Sequence, residues 1–467
     1  MIVLNEELTE KKIIEILQYF TSQEKPRLQR LENYYLGKHD ILHRTMTDVT
    51  APNNKVVINY PSYIVDSFAS YLVGTPIVYD GEEEIKQILN YNDVADVDLE
   101  TVTDSNIFGY GINQLYIDEE SQVRFCRVSP KETILLFDNS IEHKMIAAIK
   151  FYPINDNEYS VEIYDKDTVT IYHSSNSLSD LKMISQDAHY FKDVPFVEFI
   201  NNEYRQSSFE PVISLVDGLE KLSSDEINTF ESFCDCYMIL KNVTAEKEDI
   251  QAMKENRVLM IDSDADASYL TKQVNIEQIN SLKEAFVTNI HKISSVPNMS
   301  DENFAANASG VAIRYKLLAF ENATAKKERK VKKALQRRLE LINNILSITN
   351  KAYLDTVIIF TRNLPVNELE IAQEVNQLRG LVSNKTLIAQ LPFIEDADEE
   401  QKKYLIRFVH ADAAEGDIRI TIVGSNEAGF EMAFAKDKET VINAEFKAMP
   451  MDKEGTLIEY KEAIPVA

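Results

Sequence analysis

The feature that most constrains this chain is a polar segment between two long helical patterns. Residues 297–309 read PNMSDENFAANAS, which has little propensity for helix or strand. After the segment, residues 310–350 contain no proline and no glycine beyond Gly310, which predicts a long helix. Before it, apolar residues recur at the three- and four-residue spacing of an amphipathic helix, namely at Ile276, Ile279, Leu282, Phe286, Ile290 and Ile293. A polar loop between two long helices indicates a structural element rather than a catalytic pocket.

Net charge narrows the possible partners. The chain has 76 Asp and Glu residues against 49 Lys and Arg residues, which gives a formal net charge of -27. This balance argues against a protein that grips nucleic acid by neutralising phosphates. Two interpretations stay open: an acidic wall that repels a DNA duplex and lets it pass, or a charge that only keeps the protein soluble.

Composition predicts a globular protein with no membrane partner. Hydrophobic residues make up 44% of the chain, yet no apolar run reaches the roughly 18 residues of a membrane span. The N-terminus lacks a cationic region followed by an apolar core, so we expect no secretory signal. Three cysteines, Cys126, Cys234 and Cys236, are too few for a disulfide framework and indicate a reducing cytoplasm at synthesis.

Hydrophobic periodicity predicts an α+β chain that is mainly helical. The helices expected in the first three quarters of the chain cover residues 7–35, 61–73, 83–90, 96–109, 209–233, 276–296 and 310–350. Between residues 113 and 199 the period changes to two, which predicts an antiparallel meander. Residues 237–275 predict a small α/β insert, and residues 355–361 predict a strand. Further on, helices are expected over residues 366–381, 384–391 and 399–410, and strands over residues 418–423, 430–435, 441–446 and 455–460.

Motifs for catalysis or metal binding are absent from the sequence. Gly37-Lys38 has neither the upstream glycine nor the following Ser or Thr of a phosphate-binding loop. Cys234 and Cys236 are separated by one residue and have no histidine or second cysteine pair nearby, so we interpret them as small buried residues. The sequence therefore predicts no catalytic residue, no metal site and no cofactor, and a protein that is not an enzyme.

One basic cluster lies on the predicted long helix. Its members are Lys326, Lys327, Arg329, Lys330, Lys332, Lys333, Arg337 and Arg338. It can be a solvated helix face, a contact for an acidic surface, or a contact for DNA. The most available acidic surface is a second copy of this chain. The candidates for such a subunit interface are Lys326, Lys327, Arg329, Lys330, Lys333 and Arg337.

Several stretches resemble one known family. Ser309-Gly310-Val311-Ala312 with Tyr315-Lys316, preceded by Asp301-Glu302-Asn303-Phe304, is similar to the portal proteins of tailed bacteriophages, in the branch found in siphophages of Gram-positive hosts. Residues 59–79, NYPSYIVDSFASYLVGTPIVY, resemble the N-terminal signature of that family. Residues 363–365 and 391–396 also resemble stretches of that family. The resemblance extends in order over residues 20 to 400.

The resemblance implies a ring-forming fold with named parts. Residues 1–208 and 310–365 would form a β-rich wing with a long helix, and residues 209–236 and 276–296 would be stem helices. Residues 237–275 would be an α/β clip, residues 297–309 a tunnel loop, and residues 366–411 a helical crown. Residues 412–467 depart from the family because they predict a β-rich extension instead of an acidic, helical end.

The resemblance also implies a function. Such proteins form a ring, expected to be a dodecamer, at one capsid vertex, and double-stranded DNA passes through it during packaging, retention and ejection. Expected partners are the terminase large subunit, which supplies the ATP chemistry, the major capsid and scaffold proteins, and a head–tail adaptor. The expected locations are the virion and, during assembly, the host cytoplasm. The polar side chains expected to contact the sliding duplex are Asn298, Ser300, Asn303, Asn307 and Ser309.

Two other classes of protein compete with this interpretation. The first is a soluble helical adaptor or scaffold protein of virion assembly that has no DNA channel. The second is an enzyme with an unrecognised site in the β meander. Rings with a central hole would distinguish the portal from both alternatives, which would form monomers or dimers.

Overall fold

A computed structural model describes most of the first three quarters of the chain and shorter stretches after it. The described residues are 2–4, 7–47, 51–233, 237–241, 266–270, 276–299, 310–346, 355–362, 375–379, 383, 387, 404–410, 417–426, 431–432, 442–443, 446–448 and 458–463. The chain divides into two compact units, Met1–Leu364 and Pro365–Ala467.

The helices of the first unit follow the predicted periodicity. They are α1 (Glu10–Tyr19), α2 (Lys25–Tyr35), α3 (Tyr60–Val73), α4 (Glu83–Tyr91), α5 (Val94–Phe108), α6 (Ile213–Phe233), α7 (Ile276–Ser294) and α8 (Gly310–Leu346). A π-helical turn, Phe20–Glu24, joins α1 to α2. Helix α3 begins where the Asn59 side chain accepts a hydrogen bond from the Ser62 amide, and Pro61 lies in its first turn.

The strands of the first unit include the predicted meander. They are β1 (Ile2–Leu4), β2 (Val78–Asp80), β3 (Tyr110–Ile117), β4 (Val123–Val128), β5 (Thr133–Asp138), β6 (Met145–Asn155), β7 (Glu158–Tyr164), β8 (Thr168–Ser175), β9 (Lys182–Ala188), β10 (Phe196–Ile200), β11 (Tyr237–Lys241), β12 (Asp266–Leu270) and β13 (Val357–Ile359). The antiparallel pairing is confirmed, but it is divided between a sheet in the order β1-β5-β6-β7-β8-β9 and a sheet in the order β10-β3-β4. The N-terminal strand β1 pairs with β5 in parallel.

Apolar side chains of the first unit form three buried clusters. The largest joins α1, α2 and α3 to the six-stranded sheet and to the beginning of α6, and includes Leu17, Phe151 and Val216. A second lies between α4, α5 and the C-terminal half of α8. The third lies between the two larger sheets and includes Ile112 and Phe196. Helix α6 therefore begins inside the main core.

A fully buried arginine crosses the second cluster. The Arg338 guanidinium on α8 donates to Asp98 Oδ1 at 2.6 Å and to the Tyr79 hydroxyl at 2.7 Å. Its plane lies over the Phe125 ring, 4.5 Å from the centroid. Because a buried charge is tolerated only when it is paired, these contacts fix α8 against α5 and β2.

From residue 404 onward, the described part of the second unit is a β structure. Strand β15 (Asp417–Asn426) pairs with β14 (Tyr404–His410), with β18 (Phe446–Ala448) and with β19 (Ile458–Ala463). A separate pair joins β16 (Glu431–Met432) to β17 (Ile442–Asn443). The β-rich character predicted beyond residue 412 is thus present.

The helix predicted over residues 399–410 is wrong. Tyr404–His410 is a strand, and it places Ile406 opposite Ile422 and Phe408 opposite Ile420. Backbone pairing with a strand that is distant in sequence overrides the local helical pattern. This hairpin crosses the boundary drawn between a crown at 366–411 and an extension at 412–467. Within the predicted helices at 366–381 and 384–391, only residues 375–379, 383 and 387 are described, and 375–378 are helical.

Candidate functional site

Helices α6 and α7 lie side by side and run in opposite directions. Gly218 on α6 faces Phe286 on α7 so closely that a Cβ added at Gly218 would lie 3.0 Å from the phenyl ring. Further along, the Lys283 ammonium of α7 is bonded to the Glu226 carboxylate of α6. Glycine therefore permits a close approach of the two rods, as the predicted stem requires.

At the far end of the rods, strands β11 and β12 form an antiparallel pair. Ile239 lies opposite Ser268 in their register. The rest of the predicted clip, including the helix expected over residues 247–256, lies outside the described residues. The strand pair joins the C-terminal side of α6 to the N-terminal side of α7, which is consistent with two antiparallel helices.

A strap of chain between α2 and α3, described at residues 39–47 and 51–58, is bonded along α6. His39 and Glu220 are both fully buried and bonded to each other through Nδ1 and Oε1. The other ring nitrogen of His39 contacts the Tyr34 carbonyl at 2.8 Å, and the ring stacks on the Tyr34 phenol with centroids 4.6 Å apart. Glu220 also accepts a hydrogen bond from the Ile58 amide at 2.9 Å.

Burial and the neighbouring charge shift the pKa of His39 in opposite directions. Burial lowers the pKa of His39, but the hydrogen bond and the charge of Glu220 outweigh burial and raise the pKa above its ordinary value. Both atoms that face the ring nitrogens, Glu220 Oε1 and Tyr34 O, are acceptors. Only the imidazolium can donate to both, so the geometry favours the protonated ring.

The strap continues along α6 turn by turn. The Val56 amide donates to Ser224 Oγ at 3.0 Å, and the Asn54 amide donates to Asn228 Oδ1 at 2.8 Å. Arg44 pairs with Asp225 on the same helix. These contacts cover the polar side of α6 from within the chain.

Helix α7 is covered much less than α6. Ile290 and Ser294 are its buried residues, and Phe286 and Val287 pack against the main core. Three apolar residues of the predicted stripe are instead half-exposed: Ile276 at 51%, Leu282 at 49% and Ile293 at 52%. Part of the apolar stripe of α7 is therefore left uncovered by the described residues of this chain.

The predicted tunnel loop is described only at its beginning. Helix α7 ends at Ser294, and the chain continues through a buried Val296 to Pro297 and the partly buried Asn298. The other predicted contact residues, Ser300, Asn303, Asn307 and Ser309, lie outside the described residues.

Half of the basic candidates on α8 are bonded within the chain. The Lys327 ammonium lies 3.0 Å from Asn106 Oδ1 and 2.8 Å from Ser208 Oγ, and 4.2 Å from the centroid of the Phe68 ring. Burial lowers the pKa of Lys327 to about 7. Arg337 pairs with Asp193 and Glu340, and Lys330 pairs with Glu203.

The other half is exposed on the same helix. Lys326, Arg329 and Lys333 are exposed, and no ion pair involves them among the described residues. The six candidates thus form two groups: one group bonded to its own chain, and one that presents positive charge to solvent.

A family comparison decides what kind of site this is. The family model described as "Phage portal protein, SPP1 Gp6-like" matches residues 14–406. The chain belongs to this family of portal proteins. The match includes the strap, α6 and α7, the strand pair between them in sequence and α8, which confirms the resemblance drawn from residues 20 to 400.

Two curated relatives of this portal protein cover most of its length. The portal protein of Clostridium phage phiCD119 is 26% identical over 414 residues, which is 80% of this chain and 91% of the relative. The portal protein of Bacillus phage SPP1 is 24% identical over 409 residues, which is 79% of this chain and 80% of the relative. Both phages are named for Gram-positive hosts, as the resemblance predicted.

A solved structure is similar at a lower level. It is described as "Neck of native GTA particle computed with C12 symmetry" and has a TM-score of 0.44 and 10% identity. The likeness covers 71% of this chain and 88% of that chain. A TM-score below 0.5 is too low for any argument about this portal protein.

Portal proteins are structural components of phage particles. Within the described part of this portal chain, no three His, Cys, Asp or Glu side chains gather as a metal site requires. No described helix is long and apolar enough to cross a bilayer.

The contacts between the strap and α6 were not predicted from the sequence, although the sequence of α6 contains a signal for them. Polar residues recur at three- and four-residue spacing on α6, beside the apolar stripe that predicted the helix, at Asp217, Glu220, Ser224, Asn228 and Glu231. All five accept hydrogen bonds from residues 34–58. A second stripe of helical period indicates a second covered face.

Proposed function

We propose that this portal protein forms a dodecameric ring at one capsid vertex and that double-stranded DNA passes through the ring during packaging, retention and ejection. The observation that carries the proposal is the family match over residues 14–406 together with the antiparallel pair α6 and α7 and its terminal strand pair. In a ring, each subunit is braced by two neighbours through a heterologous, closing contact. Paired rods repeated around an axis form the wall of a channel.

The parts of the subunit take different roles in this proposal. Helices α6 and α7 form the stem, and residues 237–275 form the clip that faces the DNA motor. Residues 297–309 reach toward the duplex, where Asn298, Ser300, Asn303, Asn307 and Ser309 make weak contacts that are indifferent to sequence. The net charge of -27 supports passage rather than binding, because an acidic wall repels a duplex that carries about one charge per 1.7 Å.

Partners and location follow from the same role. The terminase large subunit docks on the ring and supplies the ATP chemistry, and a head–tail adaptor replaces it after packaging. The major capsid and scaffold proteins surround the ring. Assembly takes place in the host cytoplasm, and the finished ring stays in the virion.

The neighbour contact uses the exposed part of the basic cluster. Lys326, Arg329 and Lys333 present three positive charges from one helix of an otherwise acidic chain. The acidic surface of the adjacent copy is the partner that every subunit of a ring meets. Replacing all three by Glu should reduce ring formation, while Lys144→Glu, a charge reversal at another exposed position, should leave it unchanged.

Microscopy and a deletion test the proposal together. Negative-stain images of the purified protein, with its scaffold protein present, should show rings with a central hole. Deleting residues 298–307 should leave rings intact and block DNA filling of heads. Rings without a hole would contradict the conduit. Normal DNA filling in the deletion variant would contradict the tunnel-loop role.

A further inference from the structure

The first residues after α7 are held in a fixed conformation. Ser295 has φ +63°, a left-handed conformation that few residues other than glycine adopt. The Val296 amide then donates to Ser294 Oγ at 3.3 Å, and the Val296 side chain is 1% exposed within the main core. The chain thus leaves the stem helix through a defined turn.

Two consecutive carbonyls of this turn accept hydrogen bonds from two different elements. His291 Nδ1, on the last turn of α7, lies 3.0 Å from the Val296 carbonyl oxygen and must donate to it. The Tyr63 hydroxyl, on α3, donates to the Pro297 carbonyl oxygen at 2.8 Å. One bond ties the turn to the stem, and the next ties it to the helix of the N-terminal family signature.

Three rings enclose these bonds. The His291 ring is edge-on to Tyr60, with centroids 5.6 Å apart, and to Tyr63, with centroids 5.9 Å apart. The two tyrosine rings are themselves perpendicular at 6.5 Å. Edge-to-face packing restricts each ring, so both donors are oriented before they bond.

We propose that Tyr63 and His291 are positioning residues that set where the tunnel loop leaves the subunit. By holding Val296 and Pro297 against both α3 and α7, they give every copy in a ring the same departure point for residues 298–309. They also connect the loop to the wing, so that a load from moving DNA reaches α3 as well as the stem. This inference rests on the tunnel-loop role proposed above.

Hydrogen exchange of the assembled ring tests the positioning directly. Tyr63→Phe keeps the ring and removes the donor, and it should speed exchange of the Val296, Asn298 and Met299 amides about fivefold, which corresponds to one hydrogen bond of about 1 kcal/mol. His291→Phe should have a similar effect. Tyr60→Phe is the matched control, because the Tyr60 hydroxyl makes no hydrogen bond among the described residues, and it should leave these amides unchanged.

The outcomes separate this inference from the proposed function. Unchanged exchange in both Tyr63→Phe and His291→Phe overturns the positioning role. Exchange that rises equally in α6 also overturns it, since the effect would then be one of general stability. Faster exchange limited to residues 296–299, with altered DNA filling or retention in heads, supports the inference. The same local exchange with normal filling and retention supports the positioning and contradicts the tunnel-loop function.

Discussion

Helices α6 and α7 lie against each other, but their surroundings differ. Helix α6 is covered by the core on one side and by the strap on another. Helix α7 touches α6 and the core, and half-exposes Ile276, Leu282 and Ile293. Near its C-terminal end, α6 also exposes Ile227 at 40% and Phe230 at 54%. The first part of α6 is therefore completed by its own chain, whereas α7 leaves apolar side chains uncovered from its first turn to its last. A pair of similar helices can thus divide the work of subunit stability and assembly.

The largest loss of unfolding free energy should follow removal of Glu220, the buried carboxylate of α6. Glu220→Ala leaves the fully buried His39 ring and the Ile58 amide without their acceptor. Breaking a buried pair by removing one partner costs about 3–5 kcal/mol. Urea unfolding followed by circular dichroism measures the loss, because the chain has no tryptophan. The control is Glu231→Ala, at the solvated end of the strap contact, which should change the unfolding free energy by under about 1 kcal/mol. Equal losses in the two variants would contradict a special role for the buried carboxylate.

The close approach of α6 and α7 should produce the next largest effect. Gly218→Val places a branched side chain where even an added Cβ would lie 3.0 Å from the Phe286 ring. Overpacking of this kind costs about 1–3 kcal/mol. In a Phe286→Ala background the ring is gone, so the same substitution should be nearly neutral. A loss that is identical in both backgrounds would show that the contact does not limit the approach.

A smaller contribution to the unfolding free energy should come from His39, and it should depend on pH. The raised pKa of His39 means that its contribution to stability is fully present below about 6.5, the ordinary pKa of histidine, and is lost as pH rises through the folded-state pKa. The wild type should therefore lose more unfolding free energy between pH 6 and pH 8.5 than His39→Gln does. Parallel pH profiles of the two proteins would contradict a protonated His39 in the folded state.

The smallest effect on subunit stability should come from α7. Replacing Ile276, Leu282 and Ile293 by serine should change the unfolding free energy by no more than about 0.5 kcal/mol each, because these side chains are already half in water. Light scattering should nevertheless show fewer complete rings. Ile141→Ser, at a fully exposed position of the wing, is the matched control and should leave the particle mass unchanged. Intact rings in the triple variant would remove this face from the neighbour contact.

Sequence periodicity correctly predicted the helices α6 and α7, but it did not predict which of their side chains are buried in the subunit. The stripe on α7 correctly predicted a helix, and the structure buries Ile290 and partly buries Phe286 from it. It could not separate these from Ile276 and Leu282, which are exposed in the subunit. A period of 3.6 identifies a helix face, but it does not say whether the same chain covers that face or another copy does.

Partners that are distant in sequence explain two features that the sequence did not predict, namely which basic residues of α8 are buried and why residues 404–410 form a strand. Arg338 and Lys327 look like their exposed neighbours in sequence, but Asp98 and Asn106, far away in the chain, accept their hydrogen bonds. Residues 404–410 read as a helix locally, and their pairing with β15 makes them a strand. Long-range partners decided both cases, and local propensity carries no information about them. The tunnel-loop residues beyond Met299 stay a prediction.

The strap also bears on the order of events in building the particle. His39, Arg44 and Asn54 reach α6 from the same chain, so Glu220 loses its water during folding of the monomer, while Asp225 and Glu231 gain partners and stay partly exposed. A neighbour that arrives later therefore meets carboxylates that already have partners within their own chain. We expect the joining of subunits to need no new charge pairing along this face and to be reversible until the last copy closes the ring.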